Sequence, residues 1–355
     1  MSDETRANAT VFDYLRWRGD LTLAQDGFNE VDSLILCIIS YINLKKLRQL
    51  WSFDPKDAMP MGDVCRHLTE EDEQLGLSTL DYIPLMRAAA ETARFRDVSL
   101  FAFESLHDEA QQMQFAAVSF LLPDGSVYVA YRGTDMTIVG WQEDFNMSFL
   151  SAVPAQLKAT EYAEAVARAC PRRPLRIGGH SKGGNLAAWA AVHLDEKLQR
   201  KRLIAAYNND GPGFDADVIA LPGYQRICAR VQTFVPQSSI VGMLLEHEEA
   251  YTIIHSTGDG FGQHNLYTWE VLRDRFATLE ETLNNPLAYC LNLEYNVNAL
   301  TVAMDTLRGT PDTIESGDWT ESDYLADDGT VLPLHRRLYD YTATITPRCR
   351  DWSLN

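Results

Sequence analysis

The chain reads as an α/β protein built on an open, mainly parallel sheet with flanking helices. Three observations predict this. From Val98 onward, short runs rich in β-branched and aromatic residues alternate with longer helical stretches. A Gly-rich turn around Gly179 and Gly183 passes directly from one such run into an Ala-rich helix. A chain of 355 residues with 46% hydrophobic and 23% charged residues has the composition of a globular protein, of one large domain or two ordinary ones.

Taken in order, the first ninety-odd residues are mainly helical. Val31 to Ile42 is apolar almost all round, which predicts a buried helix, with Asn29 and Asp32 placed to cap it. Trp51 to Asp63 is rich in Pro, Asp and Gly and reads as a loop. Tyr82 to Arg94, Ala-rich at its centre, reads as a helix. The runs beginning at Val98, Phe115 and Ser126 read as strands, the last two joined by the turn Pro123-Asp124-Gly125. A polar, aromatic segment, Trp141 to Phe149, precedes a helix over Ala155 to Cys170. A short strand over Arg173 to Ile177 leads into the Gly-rich turn. Further strands are expected in LIAAYNNDGPGF, RVQTFVP, AYTIIHS and LYTWEVL. Phe276 to Leu307 reads as one or two helices, and Thr310 to Thr330 as an acidic loop. The expected organisation is a helical segment over 1–95 packed on or capping the core, an α/β core over 96–275, and a helical or loop extension over 276–355 within the same domain.

Charge narrows the function. Lys plus Arg number 31 against 50 Asp plus Glu, a net charge of −19. Binding to nucleic acid draws on a cation surplus facing phosphate, so a nucleic-acid partner is not expected. The same surplus of carboxylates disfavours anionic membrane surfaces. No apolar run reaches the length of a membrane span, and the N-terminus lacks the basic and apolar regions of a secretory signal. The six cysteines, at 37, 65, 170, 228, 290 and 349, show no metal-site spacing, so reduced thiols and a cytoplasmic location are expected.

Gly179-His180-Ser181-Lys182-Gly183 has the form G-x-S-x-G. The pattern is short enough to arise by chance. Its placement between a strand and a helix is what a nucleophile elbow requires, because the serine must occupy a sharp, strained turn that only small neighbours permit. The helix beginning beneath it favours negative charge.

These residues, with others, resemble the class 3 lipase family of α/β-hydrolases, and more closely a lipase-like bacterial branch of it. The matching blocks are YRGTD and WQEDF at 131–145, IGGHSKGGNLA at 177–187, FVPQSSIVGML at 234–244 and QHNLYTWEV at 263–271, with FDYLRWRGDLTL at 12–23. The resemblance implies Ser181 as nucleophile, with Thr134 and the N–H of Lys182 as oxyanion donors. It implies packing and hydrogen-bond-accepting roles for Trp141 and Asp144.

The base should be a histidine later in the chain. His193 lies about three turns along the helix after the elbow. His247 sits in an acidic run expected to be helical and solvated, and His255 ends a strand. His264 lies in a polar loop and in the block matching the family's catalytic histidine, so it is the candidate base. His180 is expected to pack beneath the elbow. The third member departs from the family pattern. Where class 3 lipases carry an aspartate, this chain reads Gln237-Ser238-Ser239-Ile240-Val241-Gly242, with no carboxylate. Asp210, at the end of the preceding strand, is the candidate acid, and Asp-Gly is also a common turn pair. Asp259 and Glu246 are alternatives. Ser239 could hydrogen-bond His264, or the histidine could act without an acid.

The function expected is a serine hydrolase cleaving a carboxylic, lipid-like ester. The acyl chain would lie across the N-terminal segment and Met243-Leu244-Leu245. No metal or organic cofactor is required. A thioesterase or acyltransferase using the same residues, and a non-catalytic binding protein of this fold, stand as alternatives.

Overall fold

The computed structural model describes residues 9–73, 82–110, 113–134 and 152–278. Its centre is an eight-stranded sheet whose strands lie side by side in chain order. They are β1 (Met59–Pro60), β2 (Ser99–Asp108), β3 (Met113–Leu121), β4 (Val127–Tyr131), β5 (Leu175–His180), β6 (Leu203–Asn209), β7 (Val231–Pro236) and β8 (Tyr251–Ile254). The pairs from β1 to β4 are antiparallel, and those from β4 to β8 are parallel. The α/β class expected from the sequence is therefore present. A tight turn links β3 to β4, with Gly125 at φ 86°. Ala102, at φ 54°, marks the register shift in β2.

Parallel neighbours need crossovers, and crossovers of one hand between strands in unbroken order fall on one face. The helices between the parallel strands behave accordingly. Helix Pro154–Ala169 precedes β5, and helix Lys182–His193 links β5 to β6. Their Ala159, Ala163, Val166, Leu186 and Ala190 share a core with Val129, Tyr131 and Ile177. Alternation along the pleat sends Tyr128 and Ala130 to the opposite face. That face is covered by helices Val11–Arg18, Glu30–Ile39 and Tyr82–Glu91 of the N-terminal segment.

Helix Glu30–Ile39 is buried all along, as its composition predicts. Asn29 Oδ1 accepts the N–H groups of Val31 and Asp32, and Asp32 Oδ2 accepts the Asn29 N–H in return, closing a capping box. Asp32 is fully buried, and its charge is met by Arg94, whose Nε donates to Oδ1 at 2.6 Å. Tyr14 donates to the same oxygen at 2.7 Å. The guanidinium also donates to the carbonyls of Asp26 and Gly27, at 3.0 and 2.9 Å. One buried ion pair thus ties the N-terminal helices together.

Two expectations need correction. The stretch Trp51 to Asp63 is not simply a loop. Met59 pairs with Leu100 to form an edge strand where Pro60 is tolerated, and helix Met61–His67 starts at once, driven by burial of Met61 and Val64. LYTWEVL is not a strand. Leu266–Thr268 forms a 3₁₀ turn, Trp269 makes one bridge to Ser256, and only Val271–Leu272 pairs, in a short hairpin with Arg275–Phe276. The Asn265 side chain drives that turn by accepting the Tyr267 N–H. The expected elements over Trp141–Phe149, Phe276–Leu307 and Thr310–Thr330 lie outside the described residues, apart from residues 276–278, of which Phe276 is paired in a strand. Among the described residues, no helix is long and apolar enough to cross a membrane. Cys37, Cys65, Cys170 and Cys228 are free thiols.

Replacing Arg94 by Ala leaves the Asp32 carboxylate buried and unpaired. A loss of about 3–5 kcal/mol in folding stability is expected, read from the urea unfolding midpoint and slope.

Candidate active site

Strand β5 lies between β4 and β6, with Gly179 opposite Tyr131 and His180 opposite Asn209. At its end Ser181 takes φ 59° and ψ −134° and becomes the cap of helix Lys182–His193. A positive φ at a non-glycine residue costs on the order of 1–3 kcal/mol and persists only where the surroundings impose it. Here they do. The Ser181 N–H donates to the Asn209 carbonyl at 3.0 Å, and the Ser181 carbonyl accepts from Gly184 at 2.8 Å. A Cβ on Gly179 would strike the Gly183 carbonyl, and one on Gly183 would strike that of Tyr131. The first turn of the helix is thus pressed against the strand ends. This is the strand–turn–helix expected of a nucleophile elbow.

The segment leaving β4 borders the serine. A Cβ on Gly133 would come within 3.1 Å of the Ser181 Cβ and 2.7 Å of the His180 carbonyl oxygen. Thr134 follows and is buried. Lys182 opens the helix, where backbone N–H groups have no acceptor within the helix. Its side chain is buried and turns back to β3, donating to the Gln114 carbonyl at 2.9 Å.

His264 lies in a 3₁₀ turn, Gly260–His264, after β8. Its Nδ1 is 2.6 Å from Asp210 Oδ2. Asp210 follows the last residue of β6 and also has a positive φ, of 52°. Its other oxygen, Oδ1, accepts from the Ser239 hydroxyl and from the Gly242 N–H, the latter at 3.1 Å. Ser239 therefore bonds Asp210, not His264 as considered from sequence. Asp259 only precedes the turn that carries His264, and the Glu246 backbone pairs with Phe214.

The His180 ring packs tilted against that of His264, at a centroid distance of 4.3 Å and 37° between planes. Its Nε2 lies 3.0 Å from the His264 carbonyl oxygen. A carbonyl only accepts, so Nε2 carries the proton, and Nδ1 accepts from the Tyr41 hydroxyl at 2.9 Å. Burial, and then the proximity of His264, hold the His180 pKa well below the ordinary range. Burial keeps the Tyr41 phenol protonated and able to donate.

The other histidines are engaged elsewhere. His193 stacks on Trp189 at 4.0 Å, and His255 Nδ1 is 2.7 Å from Glu270 Oε2. His247 is neither helical nor solvated. It is buried beside Glu249, with Nδ1 2.9 Å from Oε1, in a turn held by the pairing of Phe214 with Glu246. Trp141 and Asp144 lie outside the described residues. Sequence reasoning did not single out Tyr41, Ser239 as a partner of Asp210, or Gln114. Each contact joins residues at least 29 positions apart.

Comparison with known proteins gives a family match and several distant structural likenesses. The Mbeg1-like family profile matches residues 89–310. No curated protein matches the chain. Among solved structures, lipase II from Rhizopus niveus is similar at 12% identity and a TM-score of 0.40, over 80% of this chain and 95% of that one. A mutant of MDLA from Penicillium cyclopium is similar at 13% identity and a TM-score of 0.40, over 71% and 86%. The Rhizomucor miehei lipase in complex with its propeptide is similar at 15% and 0.37, over 62% and 66%.

His180 yields a pH prediction. It stays neutral when folded and takes up a proton near pH 6.5 when unfolded. Below that pH the unfolded state binds more protons, so this residue makes stability fall as pH falls, by up to about 1.4 kcal/mol per pH unit. Urea unfolding at pH 7.5 and pH 5.0 measures the loss, and His180→Gln is expected to reduce the difference between the two.

Proposed function

Because this chain belongs to the Mbeg1-like family and packs the ring of His264, paired with Asp210, against that of the residue before a strained serine, we propose that it is a serine hydrolase of carboxylic esters. The observation that carries the reading is the 2.6 Å contact of His264 Nδ1 with Asp210 Oδ2, on a ring packed against that of the residue preceding Ser181. With Nδ1–H donating to Asp210, Nε2 is left as the basic nitrogen.

In this reading Ser181 Oγ attacks the ester carbonyl and passes its proton to His264 Nε2. The carbonyl becomes a tetrahedral oxyanion, facing the N–H groups of Thr134 and Lys182. Collapse breaks the bond to the alcohol, which leaves with the proton from His264. Water then attacks the acyl-enzyme, giving a proton to the same nitrogen, and the acid departs as Ser181 is reprotonated. Asp210 holds the imidazole tautomer and offsets the imidazolium charge. Its own orientation is set by Ser239 and Gly242. Met243, Leu244 and Leu245 are half-buried at the edge of this loop, which supports an apolar acyl chain and hence a lipid-like ester. No step calls on a metal or an organic cofactor. No segment among the described residues calls for a membrane-embedded partner, and the cytoplasm remains the proposed location.

A fluorophosphonate probe tests the reading. Covalent labelling of the wild type and its loss in Ser181→Ala are expected, and a folded wild type that resists labelling favours a binding protein instead. Asp210→Asn should lower kcat on a short-chain p-nitrophenyl ester by on the order of 10⁴-fold, as loss of the orienting carboxylate does in such triads. Ser239→Ala, which removes one of the bonds to that carboxylate, should cost far less.

A further inference from the structure

Resting on that hydrolase reading, we infer that Tyr41 is a positioning residue that couples the N-terminal segment to the candidate base and the candidate oxyanion segment. Tyr41 lies two residues beyond helix Glu30–Ile39 and belongs to the core on the face of the sheet that lacks the crossover helices. Its hydroxyl meets the site at two places. It donates to His180 Nδ1 at 2.9 Å, across 139 residues of sequence. It also faces the backbone N–H of Gly133, the residue before Thr134. A Cβ at 133 would collide with this same hydroxyl, so the segment leaving β4 passes directly over it.

The donation to Nδ1 has a structural consequence. It leaves the proton of the neutral His180 ring on Nε2, and that proton bonds the His264 main-chain carbonyl at 3.0 Å. The His180 ring, fixed from both nitrogens, forms the surface against which the His264 ring packs. His264 is thus held from two directions. Asp210 grips its side chain, while His180, set by Tyr41, grips its backbone. Tyr41 is itself held in place by stacking on Tyr82, at 5.5 Å between centroids and 10° between planes. Without the hydroxyl, a buried Nδ1 loses its donor. The ring can then turn over to seek another partner, and the His264 carbonyl loses its anchor.

Tyr41→Phe tests this, because phenylalanine keeps the packing on Tyr82 and removes only the hydroxyl. Two readouts are compared with the wild type. The first is ¹H–¹⁵N NMR of the imidazole rings. The wild type should show a slowly exchanging His180 Nε2–H, and Tyr41→Phe should shift or lose it and alter the His264 ring signals. The second is steady-state kinetics on the p-nitrophenyl ester. The variant should lose roughly 10- to 100-fold in kcat, with KM within about two-fold, as expected when a reacting group is misplaced and binding is not. In a double-mutant cycle, adding Tyr41→Phe to His180→Gln should cost little further kcat. Unchanged ring signals in a folded Tyr41→Phe protein overturn the proposal, whatever the activity. Fully additive kcat losses overturn it as well. A wild type that cleaves no ester and takes no probe refutes the hydrolase reading alone, and the ring signals still decide the role of Tyr41.

Discussion

Everything near the site depends on a backbone held in a conformation it would not choose. Ser181 turns through a positive φ because β5 ends against β4 and β6, and because the next helix starts with no room for side chains at Gly179 and Gly183. The N–H of Ser181 is spent on Asn209, so β6 stabilises the turn as well as bordering it. The strain of 1–3 kcal/mol is small beside the burial of the two apolar layers that impose it. A rigid sheet therefore sets the direction of the serine hydroxyl, and loop preference has little say in it.

The acid side of the arrangement follows a different economy of groups. Asp210 sits at the end of β6, and the segment after β7 supplies Ser239 and the Gly242 N–H to one of its oxygens while His264 takes the other. The chain carries no carboxylate in the stretch from Gln237 to Gly242. The two loops have divided the work, one bringing the negative charge and the other the donors that fix its orientation. In the proposed mechanism, that division keeps one oxygen of the buried carboxylate satisfied even when the imidazole turns away from the other.

Legibility from sequence varies with the range of the interaction involved. The alternation of apolar runs and helices from β2 to β8, the buried helix capped by Asn29 and the turn at Ser181 all rest on local pattern, and each is present. Met59 and Pro60 pair as a strand because a neighbour, Leu100, is waiting, which no local pattern announces. Trp269 fails to extend a strand because its ring is buried and its indole N–H donates to the Gln263 carbonyl at 2.8 Å. Within the candidate site, Ser181 follows from its motif, and His264 from resemblance. Asp210 competes in sequence with Asp259 and Glu246, and only the return of the turn after β8 to the end of β6 brings one of them to the imidazole. Tyr41 has no sequence signal at all, since its meaning lies in a contact with a residue 139 positions away.

The unbroken strand order has a temporal side. On a ribosome, each strand can dock on a neighbour that has already been made, so the sheet can grow outward without waiting for a distant segment. The serine corner is complete once β6 has joined. The imidazole proposed to serve it is still some fifty residues from being synthesised, 264 following 210. A nascent chain would thus carry a formed but unassisted hydroxyl until that later segment emerges. In the proposed mechanism, ester cleavage would begin only when the turn bearing His264 has closed over the sheet.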